Sequence, residues 1–416
     1  MEAGTQCSAL ESIVIPKSVT TVGGRAFAGC SKLTIYCEIT SQPSGWSSEW
    51  NYSDCPVVWN CDDPNSMVNS GTTASGYKWS LNENRTISIT GYTGTATNLS
   101  IPSTIENLAV TAIGEDAFAN NTTIQTIVVP NSIESIAFGA FAGCSSLESI
   151  SLGTGITSLG NYLFEDCVSL KEFTLPSGET SISGGMFDGC TSLQKVTLLG
   201  TIDYIGPNAF NGCTSLTTFS IPNDVQYIGS YAFKNCSSLT GISLPSSLVE
   251  LKDQAFYGCL GISSVTIPTG VEDIGVGVFA YCANLTSIKS SNTEYIAKNN
   301  CLIEKSSNKL LAGCKNSTIP TDGSVIAIEQ YAFAGCSSLT SLTIPSKVVY
   351  IGAYAFEGCS SLTSVAFSAT GGWYRTKNIY SVGATSVSGT LTYVVSASNS
   401  ATYLKSTYVS YYWHKT

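Results

Sequence analysis

The chain has 416 residues, of which only 12% are charged, and its formal net charge is −10. That balance excludes the basic stripe a nucleic acid would need and any electrostatic docking on anionic lipid; the acidity is diffuse and serves solubility. No run of 18 or more apolar residues is present, so no membrane-spanning helix is predicted.

Met1 to Leu10 shows no basic start and no apolar run, so no signal peptide is read there. The chain opens inside a repeat, and a fragment or trimmed mature form is expected. Residues 1–61 read as the end of a first repeat array with an aromatic cap. Cys7, Leu10, Ile13, Ile15 and Pro16 begin a unit that Val19, Val22, Phe27 and Cys30 continue, with Cys30 one full period after Cys7. Residues 37–61 break this pattern with Trp46, Trp50, Tyr52 and Trp59. An open solenoid end must be covered, and large aromatics do that well. The other reading is an exposed aromatic patch that binds sugar. Residues 62–98 are read as a polar linker followed by a capping hairpin. In it Tyr77–Leu81 and Thr86–Thr90 alternate around the turn Asn82-Glu83-Asn84.

A second array is expected over residues 99–367. Its centre is a ladder of cysteines at Cys144, Cys167, Cys190, Cys213, Cys236, Cys259 and Cys282, spaced at one constant interval without slippage. A phenylalanine precedes each at a fixed offset: Phe141, Phe164, Phe187, Phe210, Phe233, Phe256 and Phe279. A fixed period in this range means stacked coils. Asn121 takes the cysteine slot in the first coil. The phase is lost after Leu285, because the step from Phe279 to Phe333 is longer than two whole units. The extra material at 295–314 reads as a hairpin insertion. Residues 368–416 hold Trp373, Tyr374, Trp413 and many tyrosines, and read as a C-terminal β-rich aromatic cap.

Within a unit, Leu-x-x-Ile-x-Ile-Pro is a short strand with period-two alternation, ended by a proline that cannot donate to a ladder. Leu239, Ile242 and Leu244 point inward. A segment such as Val225–Gly229 can pair on a second face. Ala-Phe-x-x-Cys then makes a compact turn. The fold expected is a solenoid of 23-residue coils, with a parallel β-sheet on one face, short strands and turns on the others, and β-rich caps. In the ladder slot, cysteine acts as a small buried hydrophobe. Free thiols are favoured there, since alternate bridges would distort a regular stack. Pairing of Cys55 with Cys61, or of Cys301 with Cys314, stays open. No CxxC pair and no histidine lies near them, which argues against zinc.

Chemistry has few footholds. The one histidine, His414, lies close to the C-terminus. The carboxylate pairs Glu165 with Asp166 and Glu272 with Asp273 fall on variable turns and read as solvated surface. No phosphate loop or dinucleotide fingerprint is present. No catalytic residue, metal ligand or cofactor is therefore assigned. The outward strand positions form a smooth Ser/Thr face, suited either to nothing more than an exposed strand or to flat docking.

The unit Ile-Pro-x-x-Val-x-x-Ile-Gly-x-x-Ala-Phe-x-x-Cys-x-x-Leu, seen at Ile221 to Leu239 and Ile344 to Leu362, resembles the leucine-rich repeat of the BspA type over about three quarters of the chain. Proteins of that family are secreted or surface proteins of gut and oral bacteria and of some mucosal protists, and some are implicated in adhesion and coaggregation. The resemblance implies a non-catalytic binding protein, extracellular or at the cell surface. Its partner would be a protein or glycan, in the host extracellular matrix or on another cell. The alternatives are a structural spacer in a larger surface protein and a carbohydrate-binding accessory module of an enzyme. Specificity is sought where the ladder breaks, at 37–61, 295–314 and 368–416. The candidate ligand-binding side chains are Trp46, Trp50, Trp59, Trp373, Tyr374 and Trp413.

Overall fold

Each coil is organised around the carbonyl of its phenylalanine. In the computed structural model the Phe210 carbonyl accepts the Cys213 amide at 3.1 Å within its own coil, and the Cys236 thiol at 3.1 Å from the next. The Phe210 amide in turn donates to the Ala232 carbonyl of the next coil at 2.7 Å. The same thiol-to-carbonyl bond recurs from Cys144 to Phe118, Cys167 to Phe141, Cys190 to Phe164, Cys213 to Phe187, Cys259 to Phe233, Cys282 to Phe256 and Cys359 to Phe333, at 3.0–3.2 Å. This explains the residue type. The slot is apolar and sealed, yet it faces a carbonyl lone pair, and cysteine supplies small volume together with a weak donor. The phenylalanine rings form a second ladder. From Phe118 to Phe279 successive rings lie 5.0–6.0 Å apart and within 20° of parallel.

The structure describes residues 8–60, 69–369, 373–377 and 397–415. The chain divides into two compact units, Met1–Gly71 and Thr72–Thr416.

In the first unit, Ser12–Ile15, Thr34–Cys37 and Val57–Trp59 form a parallel sheet. Where a break was expected at 37–61, the described residues up to Asn60 complete the coil that Leu33 and Ile35 open. Trp50 falls one period after Phe27, in the phenylalanine slot, and its ring packs on Phe27 at 6.1 Å. Bulk aromatics replace the usual residues, which hides the period from a pattern of Phe and Cys.

The second unit opens with the antiparallel hairpin Tyr77–Leu81 and Ile87–Tyr92, whose second strand runs parallel to Leu108–Ile113. Two faces of short parallel strands follow. The first face is segmented: Asn98–Ser100, Thr126–Val128 and Ser149–Ser151; then Glu172–Leu175 with Lys195–Leu198; Ser264–Ile267 with Ser287–Ser290; and Ser341–Ile344 with Ser364–Phe367. Residues 218–221 and 241–244 are not paired as strands. Gly241 stands at an outward position there, and glycine weakens a strand interior. The second face, expected to pair only briefly, carries an unbroken run of five strands, Ser181–Ile182, Tyr204–Ile205, Tyr227–Ile228, Glu250–Leu251 and Asp273–Ile274.

The insertion is a three-stranded meander, Tyr295–Lys298, Cys301–Glu304 and Lys309–Ala312, antiparallel throughout. Its last strand then pairs in parallel with Ala327–Ile328, and Ala327–Ile328 with Tyr350–Ile351. The meander is apolar on both sides, and strand alternation sends its neighbours to different cores. Leu302 and Leu311 join the core of the preceding coils, whereas Cys301, Ile303 and Leu310 join a separate core with Phe333, Phe356 and Trp413. It is a partition inside the stack, and the expected surface hairpin spends its side chains on two interiors. Cys301 and Cys314 are both free thiols. Cys55 is free as well, and its other candidate partner, Cys61, lies outside the described residues.

At the C-terminal end, Tyr412–Lys415 turns back antiparallel on Tyr350–Ile351 and pairs with Trp373–Thr376. This covers an edge that would otherwise stay open. The expected β-rich cap also contains a short helix, Ala397–Thr402, and a π-turn, Tyr403–Thr407. Lys405 within that turn donates to the Ser360 and Leu362 carbonyls at 3.2 and 2.6 Å.

Candidate binding surface

The aromatic residues singled out in the sequence are mostly interior. Trp46 and Trp50 are each 4% exposed, Trp373 1% and Trp413 2%. Trp46 and Trp50 meet edge to face at 4.8 Å. Their indole N–H groups are already satisfied, by the Val19 carbonyl at 3.2 Å and the Gln42 side chain at 3.1 Å. Trp59 is half-buried against the same cluster. Trp373 packs on Phe367 at 5.1 Å. The backbone of Tyr374 pairs with His414, and its side chain lies outside the described residues. The buried rings close the ends of stacks, so they offer no open face to a ligand. The burial follows from size, since a large flat ring is the cheapest way to cover an end layer.

The residues weighed for chemistry in the sequence lie as follows. His414 is buried beside the Thr376 hydroxyl at 3.1 Å, and burial lowers its pKa. Asp273 is paired with Lys252 at 2.7 Å. Among the described residues, no cluster of His, Cys, Asp and Glu could hold a metal. Burial pushes the Cys282 and Cys301 thiols up to about 12, and Cys213 and Cys259 well up. At neutral pH these are thiols, not nucleophiles.

The feature that sequence reading missed runs along the turn edge of the second unit. Each regular coil makes left-handed residues on either side of its phenylalanine. Most are Gly, Asn or Asp, which suit that conformation. Five are tyrosines: Tyr162 at φ 54°, Tyr231 at 62°, Tyr281 at 59°, Tyr331 at 61° and Tyr354 at 58°. A side chain of this size in that region costs about 1–2 kcal/mol over glycine. Their recurrence at repeat positions −2 and +2 from phenylalanine was the available signal.

The last four of these tyrosines are half-buried and gather with Tyr257. Tyr331 and Tyr354 stack at 5.2 Å and 9°. Tyr257 and Tyr281 lie 4.9 Å apart. Tyr281 leans over the next two coils: a Cβ on Gly335 would fall 2.4 Å from the Tyr281 Cα, and one on Gly358 would fall 3.0 Å from its ring. Tyr331 packs in the same way beneath Gly277. Lys234 holds its ammonium 4.8 Å from the Tyr231 ring and 5.3 Å from the Tyr257 ring. Glu357 lies near enough to both the Tyr281 and Tyr257 phenols for its charge to act on them. Burial first, and then this carboxylate, raise the Tyr281 and Tyr257 phenols above their usual range. They remain neutral donors at physiological pH. The edge also ignores the partition, because the Tyr281 amide donates straight to the Ala334 carbonyl at 2.7 Å. The result is a continuous aromatic strip with polar tips, a composition typical of interface hot spots.

A family model described as BspA type leucine-rich repeat region, in six copies, matches residues 2–71, 91–217, 203–320 and 304–394. The chain belongs to the BspA-type leucine-rich repeat family. Among solved structures, this BspA-type chain is similar to a leucine-rich cell surface protein of Faecalibacterium prausnitzii, with 29% identity and a TM-score of 0.55, over 74% of this chain and 77% of that one. It is also similar to leucine-rich repeat proteins of Bacteroides ovatus (23% identity, TM-score 0.48, 72% and 90% covered) and of T. pallidum (29% identity, TM-score 0.37, 52% and 90% covered). Comparison with curated proteins gives no match. The BspA-type repeat accounts for the coil, and these relatives are themselves repeat proteins.

Proposed function

We propose that this BspA-type chain is a non-catalytic binding protein, secreted or held at the cell surface, that adheres to a host protein or glycan through the tyrosine edge of its second unit. The observation that carries this reading is the gathering of Tyr231, Tyr281, Tyr331 and Tyr354 in left-handed turns where glycine or asparagine would be relaxed. Strain kept at a surface points to use. The similarity to a cell surface protein supports the location. The end-cap tryptophans, buried as they are, are not part of the proposed surface.

The test is a binding screen of the purified chain against extracellular matrix proteins and a glycan array. The reading expects a saturable partner whose binding drops about tenfold or more for Tyr257→Ala with Tyr281→Ala, while Trp373→Phe leaves affinity unchanged. A partner captured equally by the tyrosine variant would move the site elsewhere. No partner at all would favour the spacer reading, and a hydrolase panel that responded to the chain would favour an accessory module.

A further inference from the structure

The tyrosine strip has a polarity along the solenoid axis that narrows what it can hold. One outward position per coil, the residue after phenylalanine, reads Lys234, Tyr257, Ala280, Ala334, Glu357. The two alanines are only 4% and 3% exposed, so the larger side chains around them close over this stretch and supply its surface. Tyr257 stands at one end of that stretch and Glu357 at the other, with Tyr281 lying lengthwise over Gly335 and Gly358. Tyr331 flanks the same stretch, since its side chain reaches back to Gly277.

The molecule already uses this surface to hold a cation once. Lys234 places its ammonium over the faces of Tyr231 and Tyr257. Past Tyr257 the same ingredients recur and are richer: three ring systems, hydroxyl tips and a carboxylate. Among the described residues, no lysine or arginine forms an ion pair with Glu357. Lys234 is four coils from it, roughly 19 Å at sheet spacing. Lys405 reaches the last coil but donates to the Ser360 and Leu362 carbonyls. A carboxylate near several tyrosine side chains favours an ammonium or guanidinium, which can gain from ring quadrupole and charge together. The net charge of −10 draws such a partner in.

We infer that the surface between Tyr257 and Glu357, lined by the rings of Tyr281 and Tyr331, receives a lysine or arginine side chain of a partner protein. This rests on the binding reading above and narrows its partner to a basic protein segment. Glu357 accepts the hydrogen bonds of the cation and the rings cover its stem.

The test uses the full chain with fluorescein-labelled hexa-arginine, hexa-lysine and hexa-glutamate peptides, followed by fluorescence anisotropy. Both basic peptides are expected to bind and the acidic one not. Glu357→Gln, which keeps shape and hydrogen bonding, is expected to weaken the basic peptides about tenfold. Glu272→Gln removes the same charge from an exposed position and is expected to leave them unchanged. Tyr281→Leu reports the ring separately, and thermal melts check that each variant is folded. Equal losses in the two glutamate variants would mean diffuse attraction and would overturn the inference, as would no binding of the basic peptides. If Glu357→Gln left a ligand from the wider screen fully bound while the Tyr257→Ala, Tyr281→Ala variant lost it, the cation site would fall and the adhesive edge would stand.

Discussion

Replacing Phe233 by alanine tests both the stack and its partition. Its ring is fully buried, 5.0 Å from Phe210 on one side and 5.2 Å from Phe256 on the other, within 12° of parallel to both. A buried Phe→Ala change costs about 3–5 kcal/mol, and the loss of two stacked neighbours places this site toward the upper end. In a solenoid, such a loss spreads through coils that share an interface. Phe118 to Phe279 lie in one core with Phe233, whereas Phe333 and Phe356 lie in the other. Native-state hydrogen exchange should therefore speed up by roughly a hundred- to several-thousand-fold in the amides of the Phe210 and Phe256 coils. Amides of the Phe333 and Phe356 coils should keep their wild-type rates. Phe333→Ala should give the mirror image. If either variant raised exchange equally on both sides of residues 295–312, the meander would not be a divide and the reasoning would fail.

Three further outcomes are expected. Cys213→Ala removes the donor to the Phe187 carbonyl at 3.2 Å and a little volume, and should cost about 1–2 kcal/mol by denaturant titration; Cys213 should also resist thiol reagents until the chain unfolds. Gly335→Ala forces a left-handed alanine at φ 76° into the Tyr281 backbone, so its melting temperature should fall by more than that of Gly241→Ala, where open space surrounds the new methyl. His414 is buried in the closing strand and its pKa is lowered by burial, so the unfolded chain binds its proton first. Cap stability should be full above about pH 6.5 and fall as pH drops below that value; melts at about pH 7.5 and about pH 5 should differ less in His414→Gln than in wild type.

What could be read without coordinates followed from identity at fixed spacing. Phe and Cys recur because each coil needs one ring and one thiol at the same height, so period, core and family were visible together. The coil that Leu33 and Ile35 open was legible only at its start, because Trp50 keeps the phenylalanine slot while changing the letter. The two-faced meander escaped because its alternation looks like any hairpin; that Leu302 and Ile303 face different cores depends on coils stacked at both sides. The tyrosine edge was hidden for a different reason. Tyr231, Tyr281, Tyr331 and Tyr354 come from separate repeats, and two lie beyond an insertion that shifts the count. Their convergence appears only once Tyr281 and Ala334 are hydrogen-bonded neighbours. The tryptophans were conspicuous by size, and size is what sent them inside.

The mismatch between edge and interior at the partition has a mechanical consequence. Inside, the second unit is two blocks that meet at a wall; outside, the backbone steps from Tyr281 to Ala334 as though nothing intervened. A ligand seated from Tyr257 to Glu357 would straddle that joint like a splint. Tension along the axis would then load the bound partner and the joint together, so attachment would stiffen the stack at its seam. Coils could be gained or lost on either side of the wall while the seam, and the strip across it, stayed the same.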